Sequence, residues 1–194
     1  MKKVFLILFL VLAATSSSAL TGLSIGLKGG IATNLNLPDF QYPIEELNKM
    51  NLIGGQVKIS SVPLIDVIGT AEYVWRTKKT NLPFIEDYRV HDFVLTASIV
   101  YPYEMRVITP YAGIGISQHF LGFDASLPGV PLPASFEVPG DEHSFGYHLL
   151  VGVNLSFPVF PISLNGEFRA FWFDTAKERS RYNTLTAGFY YSFM

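Results

Sequence analysis

The chain has 194 residues, 49% of them hydrophobic and 15% charged, with no cysteine and a formal charge of -2. That length fits one domain or at most two. The charge balance excludes the basic footprint of a nucleic-acid binder, and the missing cysteine excludes a disulfide scaffold, a zinc–thiolate site and a thiol nucleophile. Mean hydropathy is +0.30, yet the long apolar run lies at the N-terminus. The remainder of the chain is either a dense soluble core or a barrel that faces lipid.

Met1-Lys2-Lys3 is a short basic start, and Val4 to Ala14 is apolar. Ser17 and Ala19 then supply small residues at the positions a signal peptidase reads. This layout predicts a secretory leader over residues 1–19, cleaved after Ala19, and a single domain over 20–194. The apolar run is too short for a membrane-spanning helix, which needs ~20 residues.

Period-two patterning recurs eight times beyond the leader, over roughly 22–31, 52–61, 64–76, 88–101, 106–119, 144–157, 161–173 and 182–193. In 144–157, Phe145, Tyr147, Leu149, Val151, Val153, Leu155 and Phe157 share one face. Gly146, His148, Gly152, Asn154 and Ser156 share the other, interrupted by Leu150. Successive strand side chains alternate between faces. Most segments reach the ~9–11 residues of a tilted membrane-crossing strand. Short connections at Val62-Pro63, Pro102–Met105 and Pro158–Phe160 alternate with long ones at 32–51, 77–87, 120–143 and 174–181. Short turns at one rim and long loops at the other, with an even strand number, predict an all-β fold. It is an eight-stranded antiparallel up-and-down transmembrane β-barrel with both termini at the short-turn rim.

Periodicity alone does not say which face meets lipid. Ring placement does: Tyr101, Tyr103, Phe157, Phe160, Tyr191 and Phe193 fall at the short-turn end, and Tyr73, Trp75, Phe120, Phe145, Tyr147 and Trp172 at the long-loop end. Two girdles flanking aliphatic residues are the interfacial belts of a bilayer protein. The polar face is sparsely charged, as in Thr109, Tyr111, Gly113, Gly115 and Ser117. Its few ions, Lys28, Lys58, Glu72, Arg76, Asp92, Glu167 and Arg169, are then expected in a narrow lumen, paired in one network because an unpaired buried charge costs several kcal/mol. The alternative is a soluble lipocalin-like binder with the faces inverted and those charges solvated.

Gly26-Leu27-Lys28-Gly29-Gly30-Ile31 resembles the first strand of small bacterial outer-membrane β-barrels, the OmpA/OmpX/OmpW-like group. Thr109-Pro110-Tyr111-Ala112-Gly113-Ile114-Gly115 resembles a strand common there. The resemblance implies residence in the bacterial outer membrane after export, insertion by the barrel-assembly machinery through an aromatic C-terminal strand, and contact with outer-membrane lipids and lipopolysaccharide. Phe189, Tyr191 and Phe193 supply that aromatic series, but Met194 stands where the family usually ends on an aromatic residue. The chain ends at the barrel, so no peptidoglycan-binding domain is expected.

Chemistry is sparse. His91, His119, His143 and His148 show no metal-ligand spacing, and no nucleophile elbow or P-loop is present, so no catalytic, metal or cofactor site is expected. Lipid A-modifying barrels need a serine activated by a histidine. His143-Ser144, near Asp141 and Glu142, sits at the right rim, but neighbours on a strand point to opposite faces.

Residues 120–143 carry Pro128, Pro131, Pro133 and Pro139 with Leu121, Phe123, Leu127, Val130, Leu132 and Phe136. They fit a hydrophobic entry, a membrane-surface segment, a partner contact or a stiff cover over the mouth. Within 32–51, Pro43 to Met50 has the pattern of two helical turns, and Asp174 to Arg181 is a charged hairpin tip, expected to be solvated, whose Lys177, Arg179 and Arg181 are candidates to meet lipopolysaccharide phosphates. The sequence therefore points to a monomeric, non-enzymatic structural, adhesive or surface-binding barrel with loops 32–51 and 120–143 as ligand sites. Alternatives are a narrow conduit for small hydrophobic compounds, a lipid A-modifying enzyme and the soluble binder.

Overall fold

The structure, a computed structural model, describes residues 22–33, 49–62, 64–79, 87–103, 105, 107–126, 142–157, 160–174 and 179–193. The expected leader, the proline-rich part of 120–143, most of 32–51 and Lys177 lie outside them.

Eight strands succeed one another: β1 (Leu23–Thr33), β2 (Met50–Val62), β3 (Ile65–Lys79), β4 (Asp87–Pro102), β5 (Ile108–Ser126), β6 (Glu142–Ser156), β7 (Ile162–Asp174) and β8 (Arg179–Ser192). Each pairs antiparallel with its sequence neighbours, and β1 pairs with β8 through Ser24↔Ser192 to Thr33↔Asn183 to close the barrel. A Phe193 N–H to Leu23 carbonyl bond (2.9 Å) extends that seam, so the start of β1 and the end of β8 lie at one rim. The same rim carries the short connections, and closure leaves no free sheet edge.

Alternation decides the faces. Leu149 and Val151 point outward and are 52% and 54% exposed, whereas Asn154 and Glu167 are buried inside. Outward Leu27, Ile53, Ile114, Leu164 and Leu185 continue the apolar band round the barrel. An outer face this apolar over a polar, filled interior matches a barrel whose solvent is a bilayer. The lipocalin-like alternative required the reverse.

Strands extend further at the long-connection rim than the sequence pattern predicts. β5 continues to Ser126, where Phe120↔Phe93 through Ser126↔Asp87 extend its ladder with β4. β8 begins at Arg179, and β2 already includes Met50, the last residue of the expected helical turns. Leu121, read as part of an exposed loop, is buried in the lumen. Backbone pairing there continues past Phe120, where the outward apolar series of the sequence stops.

Candidate functional site

Four charges meet at mid-height. Lys28 of β1 approaches Glu72 of β3 at 2.5 Å and Glu167 of β7 at 3.3 Å. Arg169 of β7 reaches Glu72 through Nη1 (3.0 Å) and Glu167 through Nε (2.6 Å). All four side chains are at most 1% exposed. Two cations facing two carboxylates make a neutral set, which is how charge survives burial. Hydroxyl groups supply further partners. Thr70 donates to Glu72 Oε1 (2.7 Å), Arg169 Nη1 donates to the Thr70 and Thr96 hydroxyls (3.2 and 3.1 Å), and Tyr111 donates to Glu167 Oε2 (3.0 Å).

Inward glycines make these contacts possible. Gly54 stands in register between Lys28 and Glu72, so the two side chains meet above a position that has none. A Cβ at Gly54 would lie 3.0 Å from Glu72 Cγ. Gly152 stands between Tyr111 and Glu167 in the same way. Gly115 stands between Ser98 and His148, whose Oγ and Nε2 are 2.8 Å apart. The rule is spatial: a lumen filled by side chains from eight strands needs gaps where two partners bond across a third strand.

Towards the long connections the lumen turns apolar. Leu52, Val74, Val90, Val94, Leu121, Phe171 and Phe173 pack together with Ala32, Met50 and Tyr182. Within this layer, His119 Nδ1 lies 2.7 Å from Asp92 Oδ2 and Nε2 lies 2.9 Å from Ser117 Oγ. Asp92 also accepts from Tyr182 OH (3.2 Å) and from the Phe120 N–H (3.2 Å). Phe173 stacks on the His119 ring at 4.2 Å, and Phe171 and Tyr182 meet it edge-on. Ser–His–Asp order suggests a nucleophile relay. Here, however, β5 is paired on both sides throughout this stretch and its Phe120 N–H goes to the Asp92 carboxylate, so the backbone N–H groups beside the serine are already engaged rather than free to hold an oxyanion. The candidate pair His143-Ser144 divides across the wall: Ser144 is buried inside, while His143 is exposed and packs on Phe120 at 5.1 Å.

Towards the short connections, Lys58 lies 4.0 Å from Asp66 and over the Tyr190 ring. Gln56 donates to Asn165 (3.1 Å), and Ile68, Val100, Tyr111 and Leu150 form a second apolar cluster.

The seven ions expected to share one network therefore divide by height. Lys28, Glu72, Glu167 and Arg169 meet, Asp92 joins His119 above, Lys58 joins Asp66 below, and Arg76 at the upper rim donates to the Lys49 carbonyl (2.8 Å). Strand stagger sets these heights. Sequence reasoning missed His119, Tyr182 and Asp66 as partners; the inward parity of Ser117 and His119 was the available signal.

Of the girdle residues, Tyr101, Tyr103, Phe157, Phe160 and Tyr191 are exposed at the short-turn rim, with Phe193 half-buried against Tyr191. At the other rim Tyr73, Phe145 and Tyr147 are exposed and Trp75, Phe120 and Trp172 half-buried. Tyr73–Trp75 and Tyr147–Trp172 stack at 5.5 Å. Among the described residues, no group of three His, Asp or Glu side chains is placed to hold a metal.

The sequence matches no protein-family model and no curated protein. Solved structures do resemble it. Neisserial surface protein A superposes with a TM-score of 0.62 at 15% identity, covering 89% of this chain and 98% of that one. The fold is that of the small outer-membrane β-barrels. Ail, the attachment invasion locus protein of Yersinia pestis, is similar to this barrel at a TM-score of 0.52 and 12% identity, covering 87% of this chain and 95% of its own. Ail in complex with the heparin analogue sucrose octasulfate gives 0.51 and 11%, with the same coverage. At these identities the likeness concerns architecture.

Proposed function

We propose that this barrel is an integral protein of the bacterial outer membrane with a non-enzymatic structural or surface-binding role, exerted by the long connections. The filled lumen carries the reading. The ion quartet is sealed from solvent, and an apolar layer lies between it and the long-connection rim. An interior plugged at two heights is a scaffold, and scaffolds of this kind place binding residues on loops. Export by a leader over 1–19, assembly by the barrel-assembly machinery and a monomeric state belong to the same reading. So does surface attachment of the sort Ail's name describes. Fractionation tests it first: the protein is expected in the outer membrane with heat-modifiable migration, and free periplasmic protein would contradict it. Planar-bilayer recording tests the plug, with a flat trace expected; stepwise conductance would contradict a closed lumen.

A second reading is a conduit for small hydrophobic compounds, favoured by the apolar upper layer of Val74, Val90, Leu121 and Phe171. It predicts that an apolar fluorescent probe binds the refolded barrel and that Val90→Trp abolishes binding. For the enzyme alternative, Ser117→Ala and Ser144→Ala should leave the lipid A profile unaltered; a changed profile in either would establish lipid chemistry.

A further inference from the structure

Between the ion quartet and the short-connection rim the lumen holds a layer of uncharged polar side chains: Gln56 of β2, Asn154 of β6, Asn165 of β7 and Tyr190 of β8. Register brings them to one height. Gly26 pairs with both Gln56 and Tyr190, and Asn154 pairs with Asn165. Gln56 reaches across to donate to Asn165 (3.1 Å). All four residues are at most 4% exposed. Yet Gln56 Oε1, Asn154 Oδ1, Asn165 Nδ2 and the Tyr190 hydroxyl meet no hydrogen-bond partner among the described residues.

A buried polar atom without a partner costs its full desolvation, so four in one layer call for a partner from outside the chain. The open atoms are two carbonyl oxygens, one amide nitrogen and one phenol, and none is charged. Turning both the Gln56 and Asn165 amides over exchanges donor for acceptor and leaves the same count. Neighbouring charges are already matched, Lys28 and Arg169 with Glu72 and Glu167, and Lys58 with Asp66. The layer therefore offers an ion little. It suits a neutral molecule whose groups each donate and accept, which is the property of a hydroxyl.

Access lies on the short-connection side. The Lys58 and Asp66 side chains are 4.0 Å apart and 16% and 12% exposed, so water reaches the lumen as far as this loose pair. Lys58 lies over the Tyr190 ring at 5.2 Å. Swinging that flexible side chain towards solvent uncovers the phenol. From this arrangement we propose that the layer binds a short neutral polyol entering from the short-connection rim. Gln56, Asn154, Asn165 and Tyr190 bond its hydroxyl groups, and Lys58 is the movable cover.

The test is a glycerol titration of isotope-labelled, detergent-refolded protein, read by NMR on the side-chain amide signals of Gln56 and Asn165. Those signals should shift saturably. The signal of outward-facing Gln118, which donates to the Ser144 carbonyl (3.1 Å), should drift linearly with bulk solvent. Tyr190→Phe and Asn154→Leu should each weaken binding about fivefold, the share of one hydrogen bond. Each deletes an atom that lacks a partner, so folding should survive, and gel migration certifies it. Val90→Trp, beyond the quartet, should leave glycerol binding unchanged. The same variant abolishes apolar-probe binding in the conduit reading, so the two fail separately. Linear shifts at Gln56 and Asn165, unchanged affinity in both Tyr190→Phe and Asn154→Leu, lost binding in Val90→Trp, or a saturable response to sodium chloride in place of glycerol would overturn the proposal.

Discussion

Replacing Arg169 with methionine removes one cation from a set of two cations and two carboxylates. Methionine roughly keeps the volume of the stem, so the change is mainly electrostatic. Lys28 is then left at 2.5 Å from Glu72 and 3.3 Å from Glu167, one positive charge between two negative ones, all sealed from water. The Thr70 and Thr96 hydroxyls lose their guanidinium partner as well. Removing one member of a buried ion set costs about 3–5 kcal/mol, because the remaining charge is uncompensated. Adding Glu167→Gln should restore most of that loss: the carboxylate excess disappears, Lys28–Glu72 remains as a balanced pair, and the amide still accepts from Tyr111. The double variant should therefore unfold within about 2 kcal/mol of the wild type, recovering about 1–3 kcal/mol of the Arg169→Met loss. Urea unfolding in phosphatidylcholine vesicles, followed by tryptophan emission and by gel migration, measures all four proteins, Glu167→Gln alone included. A loss below about 1 kcal/mol for Arg169→Met, or two losses that simply add, would refute the claim that the quartet is a coupled, desolvated unit.

Two glycine substitutions separate the lumen from the lipid face. A Cβ at Gly115 would lie 2.5 Å from both the Ala97 carbonyl and His148 Nε2, so Gly115→Val should destabilise by at least about 3 kcal/mol or prevent refolding. At outward-facing Gly55 a Cβ meets nothing within 4 Å, and Gly55→Ala should gain about 0.5–1 kcal/mol in the same urea assay. Leu64, in the connection between β2 and β3, has φ of 71° and is 75% exposed. Leu64→Asn should stabilise by about 0.5–1 kcal/mol in that assay, since asparagine tolerates the left-handed region.

Most of the architecture was legible because a bilayer writes strongly on a strand. Over Phe145 to Val153 one face must dissolve in acyl chains and the other must fill a narrow core, so the period-two signal is large. The ladder beyond Phe120 was not legible: in Leu121-Gly122-Phe123-Asp124-Ala125-Ser126 the apolar residues switch to the other parity, so the outward apolar series breaks off and the segment looks like loop, although Leu121 fills the lumen. The candidate site was legible one residue at a time. Lys28, Glu72, Glu167 and Arg169 stood out as charges on polar faces. Which of them meet depends on strand stagger, and a one-residue change of register would have placed Glu72 on the outer surface. Charge balance did not help either, since Asp92 is held by a histidine, a tyrosine and a backbone N–H rather than by a lysine or arginine.

The claim on which the rest depends is the direction of the side chains, and β6 reports it directly. The chain has no cysteine, so single cysteines at positions 149, 151 and 154 carry a nitroxide without background. In phospholipid bilayers, labels replacing Leu149 and Val151 should relax strongly with lipid-dissolved oxygen and weakly with a water-borne nickel chelate, and the label replacing Asn154 should be sheltered from oxygen. Strong nickel relaxation at 149 and 151, with the oxygen response at 154 instead, would contradict the account.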